Sequence, residues 1–211
     1  MFITFEGIDG AGKTTQIERL QACLEALGLR VLVTREPGAT GLGKEVRSIV
    51  LHSTDPIAPM AELFLYEADR AQHVATVIQP ALADGTWVLC DRFTDSTVAY
   101  QGYGRGLDLE QLKDLNQLAT QGLVPDKTIW LDGPVEELLA RTKGRQKEND
   151  AEKHDRFESQ QLSFFERLRQ GYADLATAEP SRFVRLDALQ TPEEIAEQLW
   201  HALLPLHSGL A

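Results

Sequence analysis

The chain has 211 residues, 43% of them apolar, which suits one domain built around a single core. Lys and Arg total 21 against 32 Asp and Glu, a formal net charge of −11, and this disfavours nucleic acid and anionic membrane surfaces as partners. No apolar run approaches the roughly 20 residues needed to cross a bilayer, and the stretch from Met1 to Glu6 has neither the basic region nor the apolar length of a secretion signal.

In chain order, residues 2–6 form a short apolar strand ending in glycine. Residues 13–27 read as a helix with Ile17, Leu20, Leu24 and Leu27 on one face, and Gly28 stands where a C-cap belongs. A second strand follows at 30–34 and a short helix at 42–51. Pro59 opens a longer helical stretch to about residue 83, with Pro80 marking a kink or break. Residues 87–91 form a third strand, 109–121 a helix and 127–132 a fourth strand. Residues 134–143 start a helix with proline in its first turn. A charged segment spans 144–156, and helix returns at 157–178. A fifth strand lies at 182–186, a last helix at 192–203, and 204–211 is a frayed tail. Apolar strands alternating with helices predict an α/β fold: a five-stranded parallel sheet covered on both faces, one domain over 1–211, with no repeat or linker. Cys23 and Cys90 are expected as small buried apolar side chains of a reduced, cytoplasmic protein, and His52, His73 and His154 as surface residues.

The segment Gly7-Ile8-Asp9-Gly10-Ala11-Gly12-Lys13-Thr14 fits G-x-x-x-x-G-K-[ST], between a strand and an amphipathic helix. Its glycines let backbone N–H groups turn around an anion, Lys13 supplies a point charge to the β/γ phosphates, and the Thr14 hydroxyl suits Mg²⁺. With Thr15, and with the helix dipole starting at Lys13, this is a binding site for a nucleoside triphosphate. A switch GTPase or a motor ATPase has the same cradle, so the second substrate must decide. Strand three ends in Asp91-Arg92, at the sheet edge that faces ligands. Asp91 can hold Mg²⁺, and Arg92 can grip a second phosphate in two-pronged fashion.

The run Asp91-Arg92-Phe93-Thr94-Asp95-Ser96-Thr97-Val98-Ala99-Tyr100-Gln101-Gly102 resembles the signature of the thymidylate kinases. So do Thr34-Arg35-Glu36-Pro37-Gly38, Asp69-Arg70, Gly102-Tyr103-Gly104-Arg105-Gly106 and Asp155-Arg156-Phe157-Glu158, in register from Phe2 to about Tyr172. The resemblance implies a P-loop fold of the nucleoside-monophosphate-kinase kind, with a lid at about 141–155, that moves the γ-phosphoryl of MgATP to dTMP. It implies that Asp9 accepts the sugar 3′-hydroxyl, and that Tyr66 stacks on the pyrimidine with Phe64 as the fallback. Arg70 would donate to thymine O4, Thr97 and Gln101 would bond the base near N3, and Tyr100 would crowd the 2′ position. Arg47 would reach the monophosphate, and Arg35 would clamp the phosphates.

The family that the chain resembles comes in two styles, with an arginine in the cradle or arginines in the lid. The positions between Gly7 and Lys13 hold none, so the chain is similar to the lid style. Arg145 is then the first candidate to act on the transferred phosphoryl and Arg141, near the ATP, the next, with Lys143 and Lys147 beside them. Glu158 either touches nucleotide or Mg²⁺ or is a surface carboxylate. The family is usually a homodimer, which the apolar Leu63, Phe64 and Leu65 would allow. Two other readings stay open: a related kinase with another acceptor, and a nucleotide-dependent switch or partitioning ATPase that binds a protein.

Overall fold

The computed structural model describes residues 1–146 and 160–204. Five strands, β1 (Phe2–Glu6), β2 (Val31–Arg35), β3 (Trp87–Asp91), β4 (Lys127–Asp132) and β5 (Phe183–Asp187), form one parallel sheet in the order β2-β3-β1-β4-β5. The chain leaves the central β1 toward β2 and β3 on one side and reaches β4 and β5 on the other. A crevice therefore opens at the carboxyl ends of β1, β3 and β4. Every residue of β1 is buried, as a strand covered on both faces requires.

The two faces have separate cores. Phe2, Val88, Cys90 and Phe93 pack with Val74 and Ile78, and Phe2 meets Phe93 edge-on at 5.0 Å between ring centres. Ile3, Phe5 and Leu89 face the larger core, which takes Ile17, Leu20 and Leu24 from helix α1 (Lys13–Ala26). Burying each such side chain stabilises the fold by about 1.5–3 kcal/mol. Leu27, expected on the same stripe, is instead 49% exposed. It is the C-cap, where Gly28 (φ 78°) turns the chain off the helical path. Cys23 lies on the outer face of α1 and is exposed, against expectation; Cys90 is buried as expected.

Helix α2 (Gly41–His52) is capped by the Thr40 hydroxyl, which accepts from the Gly43 N–H. Helix α3 (Pro59–His73) passes into a π-helical stretch, Val74–Ile78, and then α4 (Gln79–Ala83). This is the break expected near Pro80: its ring cannot sit against the carbonyl of Thr76 in α geometry, and the π stretch spans that position. Helix α5 (Thr94–Thr97) likewise continues as π helix over Val98–Gly104. Then come α6 (Leu109–Thr120), α7 (Val135–Gln146), α8 (Leu162–Ala178) and α9 (Pro192–Leu203). Residues 157–159 of the expected helix 157–178, and 205–211 of the expected tail, lie outside the described residues. Helix α8 lies against the second π stretch so closely that a Cβ on Gly104 would come 2.7 Å from the Phe164 ring, and one on Gly171 2.7 Å from Tyr103. This approach carries Tyr172 to the end of β1.

Candidate active site

The loop between β1 and α1 has the backbone that an anion cradle needs. Gly7, Gly10 and Gly12 have φ of 131°, 85° and 95°, the left-handed side that glycine alone adopts cheaply. At Gly10 a Cβ would also fall 2.0 Å from the Leu138 carbonyl oxygen. Lys13 Nζ folds over the loop, donating to the carbonyls of Gly7 at 3.1 Å and Ile8 at 3.4 Å. Burial, and then the neighbouring Arg92, push its pKa down; Asp91, Asp9 and Glu6 oppose this. Thr14 and Thr15 stay exposed in the first turn of α1.

Arg92 follows β3 with φ 69°, a conformation that costs a non-glycine residue of order 1–3 kcal/mol and marks functional sites. It is held from several sides. Its Nη2 donates to Asp9 Oδ1 at 2.7 Å, its Nη1 to Ser96 Oγ at 3.2 Å and Tyr172 Oη at 3.4 Å, and the guanidinium lies over the Tyr100 ring at 5.0 Å. Asp9 is half exposed, 3.8 Å from Lys13 Nζ. Burial works against its charge, but Arg92, Lys13 and Arg47 together hold its carboxyl below the usual range. Neighbouring Asp91 pairs in register with Arg35 of β2 and Phe5 of β1. Its Oδ1 is buried with no partner among the described residues. An orphaned carboxylate oxygen close enough to Lys13 to act on its charge suits a divalent cation arriving with a triphosphate. No group of three or more His, Cys, Asp or Glu among the described residues could hold a metal unaided.

The other end of the crevice is a dense network around Arg70, which is 2% exposed. Its Nε donates to Glu36 at 2.9 Å and its Nη2 to the Phe93 carbonyl at 3.1 Å. Nη1 faces Glu67, Thr97 and Asn116 at 2.7–2.9 Å. These bonds occupy four of the five guanidinium N–H groups, leaving one on Nη2. His73, expected at the surface, is fully buried: Nδ1 meets Glu36 at 2.9 Å and Nε2 meets Thr34 Oγ1 at 2.7 Å. The side chain sits under β2 because it follows Arg70 on the inner face of α3. Thr97 and Gln101 are both buried, and the π-helical turn between them departs from the four-residue helical spacing expected. Gln101 Nε2 donates to Glu62, which is fully buried and also takes two bonds from Arg105. Tyr66 is half-buried against the main core, Phe64 is 55% exposed, and Leu63 is core rather than surface.

The other cations expected at the site stand on separate elements. Arg35 is exposed at the end of β2. Arg47 donates to the Pro37 carbonyl at 3.1 Å and packs under Gly38. Arg141, on α7, donates to the Ala188 carbonyl at 2.8 Å, beyond β5. Arg145 lies on α7, whose described range ends at Gln146. Lys147, His154 and the segment Asp155-Arg156-Phe157-Glu158 lie outside the described residues. The sequence reading missed Glu6, the last residue of β1. It is fully buried and accepts from the Phe93 N–H at 2.8 Å, Ser96 Oγ at 2.6 Å and Tyr172 Oη at 3.0 Å. An acid closing an otherwise apolar strand was the available signal.

A family model described as "Thymidylate kinase" matches residues 5–199. The chain belongs to the thymidylate kinase family. Its reaction is accordingly that of the family, phosphorylation of dTMP to dTDP with ATP as donor. Among its relatives, the thymidylate kinase of a Synechococcus strain is 55% identical over 205 residues, covering 97% of this chain and 95% of that one. The thymidylate kinase of Solidesulfovibrio magneticus is 53% identical over 202 residues, covering 95% of this chain and 97% of that one. The crystal structure of thymidylate kinase from Ehrlichia chaffeensis matches with a TM-score of 0.78 and 33% identity, over 96% of this chain and 98% of that one.

Proposed function

We propose that this thymidylate kinase works by exchanging the partners of Arg92. Without nucleotide, the guanidinium is neutralised by Asp9 at 2.7 Å. That pair is half exposed on the Asp9 side, so the dTMP phosphate can displace the carboxylate at small cost. Arg92 then grips the phosphate, and Asp9 is released to accept the sugar 3′-hydroxyl. Lys13 leaves the Gly7 and Ile8 carbonyls for the β/γ phosphates of ATP, over the N–H groups of Gly7, Ile8, Asp9, Gly10, Ala11, Gly12, Thr14 and Thr15. Phosphoryl transfer is mainly positioning and charge neutralisation, and Arg35 and Arg47 add charge on the monophosphate side. Thr14 and Asp91 are the residues that would hold Mg²⁺, which when bound neutralises charge on the triphosphate.

At the base, Arg70 presents its remaining N–H to thymine O4, Thr97 and Gln101 bond near N3, Tyr66 stacks, and Tyr100 narrows the space at the 2′ position. Arg141 holds the ATP side and Arg145 completes the charge on the transferred phosphoryl from the lid, since the cradle carries no arginine. The chain works in the cytoplasm as a homodimer through the outer faces of α2, α3 and α6, where Ile49, Phe64 and Leu118 are exposed at 45%, 55% and 74%. The observation that carries the reading is the convergence of Lys13, Arg92 and Asp9 at the mouth of the cradle. The test is a screen of monophosphates with MgATP, following ADP release. The expected result is strong preference for dTMP, and equal rates with dTMP, dCMP, UMP and AMP would defeat the base contacts.

A further inference from the structure

Glu6 is a carboxylate with no solvent exposure, and three donors converge on it. The Phe93 N–H takes Oε1; the hydroxyls of Ser96 and Tyr172 both take Oε2. Those same two hydroxyl oxygens, 3.0 Å apart, face Nη1 of Arg92. An ionised carboxylate is an acceptor only, and the guanidinium is a donor only. With Glu6 ionised, the polarity of the chain is set: Arg92 donates to the hydroxyls, and the hydroxyls donate to Glu6. One edge of the guanidinium is thus tied to the end of β1 through Ser96 of α5 and Tyr172 of α8. Nη2 is left to Asp9, and Nε has no partner among the described residues.

We propose that Glu6 is a positioning residue for Arg92, acting through the hydroxyls of Ser96 and Tyr172 to hold the guanidinium's free edge toward the phosphates. The inference rests on Arg92 serving as a phosphate ligand. Glu6 touches no substrate. A buried anion at this point also offsets the charge of Arg92, so the arginine stays in place when the crevice is empty. Tying Nη1 to a rigid strand end limits the rotamers of a long side chain before substrate arrives, so less ordering remains for the bound state. Burial, and then Asp95, raise the Glu6 carboxyl to about 7, while Arg92, Ser96 and the Phe93 N–H oppose the rise.

The test is a double-mutant cycle in steady-state kinetics, with thermal melting run in parallel. Glu6→Gln keeps the shape and the bond to Phe93 but places a donor or a neutral acceptor before the two hydroxyls. The expected result is a fall in kcat/KM for dTMP of about tenfold to a hundredfold, the range for a hydrogen bond to a charged group. The KM for ATP should move less than kcat/KM for dTMP falls, since, among the described residues, the Glu6 carboxylate bonds to none of the cradle and reaches Lys13 only through its charge. In an Arg92→Ala background, Glu6→Gln should have almost no further effect. Equal losses from Glu6→Gln with and without Arg92 would overturn the inference, as would unchanged kcat/KM in the single variant. Near-normal turnover of Arg92→Ala would sink the phosphate role itself, a separate outcome. Should Glu6→Gln fail to fold, Tyr172→Phe removes one hydroxyl from the relay. It should lower kcat/KM for dTMP severalfold in the presence of Arg92 and not in its absence, and the opposite pattern refutes the relay.

Discussion

The two ends of the crevice meet charge in opposite ways. At the phosphate end, Lys13 and Arg92 are paired with backbone carbonyls, two hydroxyls and a half-exposed Asp9. At the other end, Arg70 is enclosed by the carboxylates of Glu36 and Glu67, by Thr97 and Asn116, and by a carbonyl. In the first set, Asp9 and the carbonyls are partners that a more highly charged ligand can outcompete, while the hydroxyls hold the guanidinium in place. The second is a framework whose charges are committed to one another. The proposed placement of the ligands gives the difference a reason: phosphates bring charge that must be neutralised anew in each cycle, whereas a neutral pyrimidine needs a shaped wall.

That contrast predicts separable phenotypes. Lys13→Ala and Arg92→Ala should each lose on the order of a hundredfold or more in kcat while melting close to the parent. A coupled ADP-release assay and a melting curve decide it. Large destabilisation with intact turnover would reverse the assignment of the two ends. Arg70→Ala should do the opposite first, leaving Glu36 and Glu67 buried without their counter-charge. A loss of about 3–5 kcal/mol is expected in urea unfolding, and a loss under about 1 kcal/mol would show the network to be dispensable.

A smaller effect comes from acid titration. Burial lifts Glu6 from 4.5 to about 7, and burial followed by Glu36 lifts Asp69 from 3.8 to about 6. Between the unfolded and folded values the native state binds more protons than the unfolded one, so each group's stabilising contribution is full below its unfolded value. It is lost as pH rises through the folded one. Asp69→Asn should therefore gain stability relative to the parent as pH is raised from about 4 to about 7, by urea midpoints. A constant difference across that window would mean Asp69 keeps an ordinary carboxyl. The smallest effect concerns the cysteines. Cys23→Ser should shift stability by less than about 0.5 kcal/mol, and a thiol reagent should modify Cys23 in the native protein while Cys90 stays silent. Burial raises the Cys90 thiol well above its usual range.

Legibility in the sequence divided along the same line. The cradle was readable because its chemistry is local: glycines, Lys13 and Thr14 lie within one turn of chain, and strand–helix alternation fixed the sheet around them. All five strands and α9 fell within a residue of their expected bounds for the same reason. The Arg70 network was not readable, because its partners come from positions 3 to 46 residues away on four other segments as well as its own helix. A lone arginine beside a tyrosine gives no sign of that enclosure. His73 was misplaced for the same cause: its burial depends on Thr34 and Glu36, which only the fold brings to it. The π-helical turns left no pattern that a 3.6-residue period could reveal. Glu6 stood in plain view before Gly7, but its meaning required Tyr172, 166 residues later.

The central claim is that the two nucleotides meet end to end between Lys13 and Arg92. The direct measurement is a crystal structure of the protein with a bisubstrate mimic, adenosine and thymidine joined by an oligophosphate. The account predicts that the oligophosphate lies over the cradle within hydrogen-bond reach of Lys13 Nζ and the Arg92 guanidinium. A chain of phosphates bound elsewhere, with both cations keeping their present partners, would contradict it.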